Sequence, residues 1–216
     1  MIKKLSVIEL KLFVVLMAVL IVCFFAASAR AAVKVLEVSF DSEPHKVIQT
    51  TTLKVLSAID GGLDPTKEPE KFVDQLSSIL DPVVAFDYIA RGVMGNYAQQ
   101  VTPDQVKQFS SAFKLGLVNT YGKGMSNFSD LEVAVLPPAQ PIGAGKKTTV
   151  VQEIRGAAST NQVSYTMAKN NKNEWKMINV VLNGINLGQT FRGQFAAEVE
   201  KNNGDVVKTI NEWGKS

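Results

Sequence analysis

The spacing of apolar residues changes once along this chain, and that change constrains the fold more than any other feature. Between residues 44 and 121, apolar side chains recur at helical spacing. Between residues 131 and 182, they alternate with polar side chains, as in half-buried strands. Because the helices come first and the strands second, the sequence predicts an α+β fold with helices packed on one sheet.

Helix signals predict four helices before the sheet and two after it. The clearest start is Thr102-Pro103-Asp104-Gln105, a capping box with proline at the first helical position. The clearest end is Asp60-Gly61-Gly62, since glycine favours the conformation that closes a helix. The predicted helices cover residues 44–59, 68–80, 82–94, 102–121, 189–202 and 205–213.

Turn residues divide the alternating region into four predicted strands. The last two connections are short and contain Gly156 and Asn170-Asn171, so we expect antiparallel hairpins. Residues 32–43, before the first helix, are expected to be extended or loose. The predicted sheet is therefore curved, mainly antiparallel and four-stranded. Its strands cover residues 131–138, 147–154, 161–168 and 174–182.

The first 31 residues are typical of a secretory signal peptide. Three lysines precede an uncharged apolar run over residues 12–27, and Ala29-Arg30-Ala31 fits the small-x-small cleavage pattern. We therefore predict a signal peptide over residues 1–31, cleavage after Ala31, and a single domain over residues 32–216. The alternative is an uncleaved anchor, because the apolar run approaches the roughly 18–20 residues that span a bilayer.

Charge and cysteine content exclude two classes of function. The chain has 23 basic and 20 acidic side chains, and the first 31 residues hold four of the basic and one of the acidic. Nineteen of each therefore remain after cleavage, without the positive excess that a nucleic-acid partner requires. Cys23, the single cysteine, lies in the predicted signal peptide, so the mature chain has neither a disulfide nor a thiolate nucleophile.

The sequence contains no recognisable catalytic or metal-binding motif. His45 is the single histidine and follows Pro44 at a helix start. A solvent-facing or capping role is expected there, because a catalytic histidine needs an orienting partner. No HExxH, CxxC, EF-hand, GxSxG or P-loop pattern occurs. We therefore expect no enzyme activity, no catalytic residue, no metal and no cofactor.

Apolar side chains are in excess, and two interpretations of them are open. Stripes at helical spacing and alternating strand positions usually form a solid core. The alternative is an apolar cavity between a curved sheet and the helices, which methionines would suit because they adapt to variable shapes. The candidate lining residues are Phe86, Val93, Met94, Phe109, Phe113, Leu117, Met125, Val133, Val135, Val163, Tyr165, Met167, Ile178, Val180, Leu182, Phe191 and Phe195.

Four segments together resemble the MlaC family, also called the toluene-tolerance family, of periplasmic phospholipid-binding proteins. The resemblance extends from about Pro44 to Trp213. The family often has Asp and Ser where this chain has Asn179 and Asn186. The segments are ILDPVVAFDYIARGVMGNY at 79–97, TPDQVKQFSSAFKLGLVNTY at 102–121, EWKMINVVLNGINL at 174–187 and TFRGQF at 190–195.

The resemblance implies both a fold and a function. The fold would be similar to nuclear transport factor 2, with an apolar pocket between sheet and helices, lined by the candidate residues above. The function would be that of a monomeric periplasmic carrier that holds phospholipid acyl chains and moves lipid between the outer and inner membranes, which maintains outer-membrane lipid asymmetry. The implied partners are an outer-membrane lipoprotein–porin complex and an inner-membrane ABC lipid transporter.

Two other functions stay open on the sequence alone. The first is an enzyme on a cone-like α+β fold that acts on an apolar small molecule. Such an enzyme needs a carboxylate or histidine with a shifted pKa inside its cavity, and the apolar strand faces offer no clear candidate. The second is a structural or adaptor module with a solid core, which pocket volume would distinguish from a carrier.

Overall fold

The described part of the chain forms six α-helices, one short 3₁₀ helix and six strands. A computed structural model describes residues 34–36, 43–63, 67–125, 131–139, 145–156 and 159–214. The helices are α1 Glu43–Asp60, α2 Pro69–Leu80, α3 Phe86–Met94, α4 Pro103–Met125, α5 Leu187–Lys201 and α6 Val206–Glu212, and the 3₁₀ helix is Gly95–Gln99. The strands are β1 Lys34–Leu36, β2 Glu132–Val135, β3 Lys147–Arg155, β4 Thr160–Lys169, β5 Trp175–Leu182 and β6 Ile185–Asn186.

The strands form one sheet in sequence order from β1 to β6. β1 pairs with β2 in parallel, and the other neighbouring strands pair antiparallel. The predicted α+β class and mainly antiparallel sheet are therefore confirmed, but the described strands number six rather than four. β1 and β6 have three and two residues, which is too short for alternation to be visible in the sequence.

The start of α3 differs from the prediction because the chain first pairs with the sheet. The sequence predicted a helix from Pro82, whereas α3 begins at Phe86. Val84 forms a parallel bridge with Met177 of β5. The Ala85 amide donates to the Met177 carbonyl at 3.0 Å, and the Met177 amide donates to the Val83 carbonyl at 2.8 Å. This pairing attaches the helices that follow to the edge of β5.

The predicted capping box opens α4. The Thr102 amide donates to Gln105 Oε1 at 2.8 Å, and the Gln105 amide donates to Thr102 Oγ1 at 3.3 Å. Each side chain thus satisfies a backbone donor that the first helical turn leaves free. Before it, α3 ends at Gly95, whose φ of 57° favours glycine. The Gly92–Gly95 segment is therefore a helix terminus.

Most buried apolar residues of the described chain fall into three separate clusters. The helical cluster draws its buried members from α3, the 3₁₀ helix, α4, α5 and α6, with Phe109, Phe113 and Phe195 at its centre. The sheet cluster joins Ile48 of α1 to buried residues of β2, β3, β4 and β5. The third cluster, around Phe72, joins α1, α2 and α4. Within the described residues, the helical cluster contains no strand residue.

The predicted signal peptide and its cleavage site lie outside the described residues, so this division of the chain stays a prediction. Within the described residues, no helix combines the length and the apolar character needed to cross a bilayer.

Candidate functional site

α3 and α5, which carry part of the helical cluster, both contact β5, the strand that carries Met177 and Val180 of the sheet cluster. Each cluster has a margin of half-buried apolar side chains. Val84, Tyr165 and Val180 belong to the margin of the sheet cluster. Leu117 and Phe191 belong to the margin of the helical cluster. We call these five residues the β5 margin and take them as the candidate site. An apolar ligand binds to apolar side chains that keep accessible surface beside a packed core.

The helical wall of the site rests on packed aromatic rings. The rings of Phe113 and Phe191 meet edge to face with their centroids 5.1 Å apart. Phe109 packs in the same way against Phe195 at 4.8 Å and against Trp213 at 5.3 Å. Such edge-to-face pairs stabilise a core beyond the area that they bury. The aromatic stripe of α4 therefore forms a solid support, and only its margin is accessible.

The sheet wall carries one chain of buried polar groups on an apolar face. The Tyr165 hydroxyl donates to Gln152 Oε1 at 2.6 Å, and Gln152 Nε2 donates to Thr52 Oγ1 of α1 at 2.9 Å. Gln152 is 3% exposed. Each contact satisfies a polar group that would be costly to bury alone. The chain ties α1 to the sheet without adding a charge to the wall.

Tyr165 combines partial exposure with a strongly desolvated environment. Its side chain is half-buried, yet burial raises the pKa of Tyr165 well above its usual range. Tyr165 therefore keeps its proton at neutral pH and presents a neutral ring to the site.

A strand bulge sets which residues of β5 face this wall. Met167 pairs with Met177 and Tyr165 pairs with Val180, so β5 holds one extra residue between these pairs. Strict alternation predicted Ile178, Val180 and Leu182 on one face. The bulge breaks that alternation, and Ile178 has no partner on β4, while Met177 belongs to the sheet cluster.

Two asparagines lock the start of α5 to β5. Asn179 Nδ2 donates to Asn186 Oδ1 at 3.1 Å, and the Gly188 amide donates to Asn179 Oδ1 at 3.2 Å. Asn186 also caps α5 by accepting from the Gln189 amide at 3.2 Å. Asn179 and Asn186 therefore contact each other and both hold the start of α5. A Cβ on Gly188 would lie 2.6 Å from Asn179 Oδ1, so this approach requires glycine.

α5 is also tied to the end of α3. Arg192 Nε donates to the Gly92 carbonyl at 2.7 Å. The Arg192 side chain passes Gly95, where an added Cβ would lie 3.5 Å from Arg192 Nε. This contact fixes the angle at which the two helices leave β5, and with it the helical wall of the site.

Two clefts open on the surface, and Val84 of the β5 margin lines one of them. One has a volume of about 710 Å³ and is lined by Phe86 and Tyr88 of α3, by Lys114 of α4 and by residues of the β4–β5 turn. The Lys114 ammonium lies 3.0 Å from Asp81 and 5.8 Å from the centroid of the Phe86 ring. The other cleft, of about 410 Å³, lies between α1 and α2 and includes Leu53 and Ile79.

The single histidine is buried rather than exposed. His45 is 1% exposed in the first turn of α1, so the solvent-facing position expected from the sequence is wrong. Pro44 and Ile48 are buried on the same helix, which shows that the first turn of α1 packs inward. Burial lowers the pKa of His45. Among the described residues, no group of three or more His, Cys, Asp or Glu side chains could hold a metal ion.

The structure sorts the seventeen predicted lining residues by how much surface they retain. Those that are half-buried are Phe86, Leu117, Tyr165, Ile178, Val180 and Phe191. Met125 ends α4, and its side chain lies outside the described part of the chain. Those that are buried are Val93, Met94, Phe109, Phe113, Val133, Val135, Val163, Met167, Leu182 and Phe195.

The sequence reasoning missed residues whose pattern was visible. Val150 and Gln152 follow the alternation of β3, and both lie on the buried face of the sheet. Their period could have identified them, but a buried glutamine could not be distinguished from a surface one. Val47 lies on the apolar stripe predicted for α1, but the stripe does not show that it packs at the margin of the sheet cluster. Val84 gave no local signal, because the segment before α3 pairs with the distant strand β5.

Comparison with known proteins agrees with this architecture. The sequence model of the family described as MlaC protein matches residues 49–215. This chain belongs to the MlaC family. It is 35% identical over 173 residues to the toluene tolerance protein ttg2D of Pseudomonas putida, an alignment that covers 79% of each chain. The resemblance inferred from the sequence segments is thus confirmed.

A solved structure has the same fold. It is the phospholipid-binding protein from Ralstonia solanacearum, determined in complex with a phospholipid. It superposes with a TM-score of 0.69 at 24% identity, covering 81% of this chain and 98% of the other. This likeness confirms the arrangement of helices and sheet described above for this chain.

Proposed function

We propose that this protein binds phospholipid and carries it through the periplasm, with the acyl chains held along the β5 margin. The observation that carries the proposal is the division of the core into a helical and a sheet cluster, with two helices of the first in contact with β5 of the second. Membership of the MlaC family supports it, and so does the phospholipid bound to the structural relative. A carrier of this kind needs no general base, metal or nucleotide.

The energetics of lipid transfer favour an apolar site. Burying one methylene contributes roughly 0.8 kcal/mol, so two acyl chains represent on the order of 20 kcal/mol of apolar transfer. A water-soluble carrier has to replace most of the bilayer around those chains. The neutral, hydrogen-bonded Tyr165 and Gln152 allow this, because they expose no charge to the hydrocarbon.

We propose the half-buried members of the predicted lining set as the first contacts of the acyl chains. Leu117, Phe191, Tyr165 and Val180 retain accessible surface beside the core. The fully buried members, such as Phe109 and Met167, are 0% exposed and shape the walls behind them. The polar head group would stay at the mouth of the site, in contact with water.

The location and the partners belong to the same proposal. We infer that residues 1–31 direct export and are removed near Ala31, which leaves the domain in the periplasm. We also propose docking on an outer-membrane lipoprotein–porin complex and on an inner-membrane ABC lipid transporter, with the chain itself monomeric. Family membership supports both statements.

Native mass spectrometry of the mature chain, purified without detergent from a bacterial host with an outer membrane, tests the proposal. We expect phospholipid at near-stoichiometric level, with the mass of an intact lipid. Lipid recovered in processed form would favour the enzyme. A folded protein that stays empty after incubation with liposomes would refute the carrier function and favour a solid core.

A pair of tryptophan substitutions tests where the lipid lies. Val180→Trp places a large side chain on the β5 margin and should reduce the loaded fraction at least about tenfold, since an indole displaces much of one acyl chain. Val207→Trp is the control, because Val207 is 40% exposed on α6. Equal loading of the two folded variants would place the lipid elsewhere.

A further inference from the structure

One end of the sheet concentrates positive charge. Lys147 of β3 and Lys176 of β5 both pair with Ala168 of β4, so their side chains leave the same face of the sheet. The Lys169 amide donates to the Lys146 carbonyl at 2.9 Å, which places these two residues on adjacent strands as well. We call the group the lysine end, and it comprises Lys146, Lys147, Lys169, Lys172 and Lys176.

The charge of the lysine end is not balanced locally. Lys146, Lys147 and Lys172 are exposed and form no ion pair with any described carboxylate. Glu174 is the one acidic residue in the β4–β5 turn, and it lies 3.2 Å from Lys176. The cleft that Lys176 lines also holds Asp81, Asp87 and Lys114. The five lysines and Lys114 therefore face three carboxylates and keep an excess of three positive charges, although residues 32–216 carry nineteen charges of each sign.

Some lysines elsewhere in the described chain are paired and others are not. Lys71 contacts Glu68 at 3.2 Å, and Lys201 contacts Glu198 at 2.7 Å. Lys54, Lys107 and Lys208 form no ion pair with a described carboxylate. What distinguishes the lysine end is therefore the placement of its lysines on neighbouring strands and one turn.

The turn that presents Lys172 is held in one conformation. Asn170 Oδ1 accepts from the Lys172 and Glu174 amides, both at 2.9 Å. Asn170 Nδ2 donates to the Glu174 carboxylate at 2.8 Å. This hydrogen bond and the neighbouring Lys176 lower the pKa of Glu174. The Glu174 carboxylate is therefore held by Asn170 and Lys176, and the Lys172 side chain stays exposed.

The residue types at the lysine end favour an anionic bilayer over a protein partner. All five cations are lysine and none is arginine. Lysine is depleted at protein interfaces, where arginine and aromatic residues are enriched. Its ammonium is strongly hydrated and acts as a point charge, which suits a diffuse layer of lipid phosphates. The Lys169 ammonium also lies 5.3 Å from the ring centroid of Trp175, an arrangement that keeps the indole covered.

The lysine end adjoins exposed aromatic surface. Lys176 lines the 710 Å³ cleft together with Phe86 and Tyr88. Tyr88 is 63% exposed. Aromatic side chains of this kind prefer the level of the lipid head groups, because one end is apolar and the other is hydrated.

We propose that the lysine end rests on the surface of an anionic phospholipid bilayer and orients the protein there. The proposal rests on the proposed carrier function, since a carrier has to face a membrane when lipid enters or leaves. The contact is electrostatic and hydrated, so it is reversible and weakens with salt. It holds the start of β3, through Lys146 and Lys147, and the β4–β5 turn, through Lys172, next to the bilayer.

Vesicle co-sedimentation of the mature chain tests this. We use vesicles of phosphatidylcholine, with or without about one-third phosphatidylglycerol, which supplies the negative surface potential. We expect binding to the anionic vesicles alone, and a loss of most of it between about 50 and 500 mM salt, where the screening length falls several-fold. Binding that is equal for both vesicle types, or absent from both, overturns the proposal.

Matched charge reversals separate the lysine end from net charge. Lys146→Glu, Lys147→Glu and Lys172→Glu together should lower the partition coefficient at least about tenfold. The control carries Lys54→Glu, Lys107→Glu and Lys208→Glu, three exposed lysines on helices, and has the same net charge. Equal loss in both triple variants overturns the proposal.

Two further readouts keep the outcomes distinct. The first is phospholipid loading by native mass spectrometry, which should be unchanged in both triple variants. Loading thus reports on the carrier function separately from docking, and an empty wild-type protein would contradict the carrier function alone. The second is restoration of the outer-membrane barrier in cells. If the wild type does not bind anionic vesicles but the lysine-end variant fails to restore the barrier, the partner is an acidic protein and the proposal is overturned.

Discussion

Replacing Tyr165 by phenylalanine tests whether the sheet wall is as desolvated as the structure indicates. The substitution keeps the ring and removes the hydroxyl that donates to Gln152 Oε1 at 2.6 Å. Gln152 is 3% exposed and already uses its Nε2 to donate to Thr52. Its carbonyl oxygen therefore loses a donor that water cannot easily replace.

The expected cost follows from that unsatisfied acceptor. A buried polar group left without a partner costs about 1–3 kcal/mol, whereas an exposed one costs little. For a domain of this size each kcal/mol shifts Tm by about 2–4 °C, so Tyr165→Phe should lower Tm by about 2–12 °C. We expect Tyr88→Phe to leave Tm within about 1 °C, because Tyr88 is 63% exposed.

Urea unfolding and thermal unfolding of the two variants measure this difference, and a double-mutant cycle assigns it. Adding Gln152→Met to Tyr165→Phe removes the orphaned acceptor and should recover about 1 kcal/mol or more of the loss. If Tyr165→Phe costs no more than Tyr88→Phe, water reaches the hydroxyl, and the sheet wall is not the desolvated surface that an acyl chain requires.

Two further predictions concern pH and helix packing. Burial lowers the pKa of His45 from its ordinary value of 6.5, so the unfolded chain takes up this proton before the folded one does. The contribution of His45 to the free energy of unfolding should be complete above pH 6.5 and fall as the pH drops below it. His45→Gln should flatten that slope, as measured by urea unfolding across a pH series. Gly188→Ala places a Cβ 2.6 Å from Asn179 Oδ1 and should destabilise the fold by about 1–3 kcal/mol. The control is Gly193→Ala on the same helix, where an added Cβ meets no atom within 4 Å. It should be neutral or stabilise the fold by up to about 1 kcal/mol. Equal Tm values for the two alanine variants would contradict the close contact between α5 and β5.

Local chemistry predicted most of the elements. The capping box at Thr102 fixed the start of α4 because both of its hydrogen bonds are made within four residues. Alternation placed β3, β4 and β5 within one residue of their observed bounds, since one face of each strand is buried. The segments that resembled the MlaC family belong to α3, α4, β5 and α5, where these local signals are strongest.

Contacts between distant segments were beyond the sequence. Val84 pairs with Met177, which is far along the chain, and so α3 begins later than Pro82 predicts. The bulge that removes Ile178 from the alternation depends on the register of β4. The burial of His45 depends on how α1 packs, which its own residues do not determine.

The lining of the candidate site was only partly predictable for the same reason. Helical stripes identified Phe109 and Phe113 as apolar and inward, but whether an inward side chain meets another side chain or an open space depends on the distance between layers. Both are buried, whereas Leu117, one turn further along α4, keeps accessible surface. Which residues contact lipid stays a prediction that Val180→Trp tests.

The separation of the helical cluster from the sheet cluster has a mechanical consequence. Each holds its own aromatic or aliphatic packing, so the connections along β5 can loosen while both remain folded. Few groups make those connections: the Val84 bridge, the contact of Asn179 with Gly188, and the turn at Asn183-Gly184. A second connection is apolar, because the cluster around Phe72 joins α1 to α4. Hydrogen exchange should therefore be faster at the contacts along β5 than within the buried clusters.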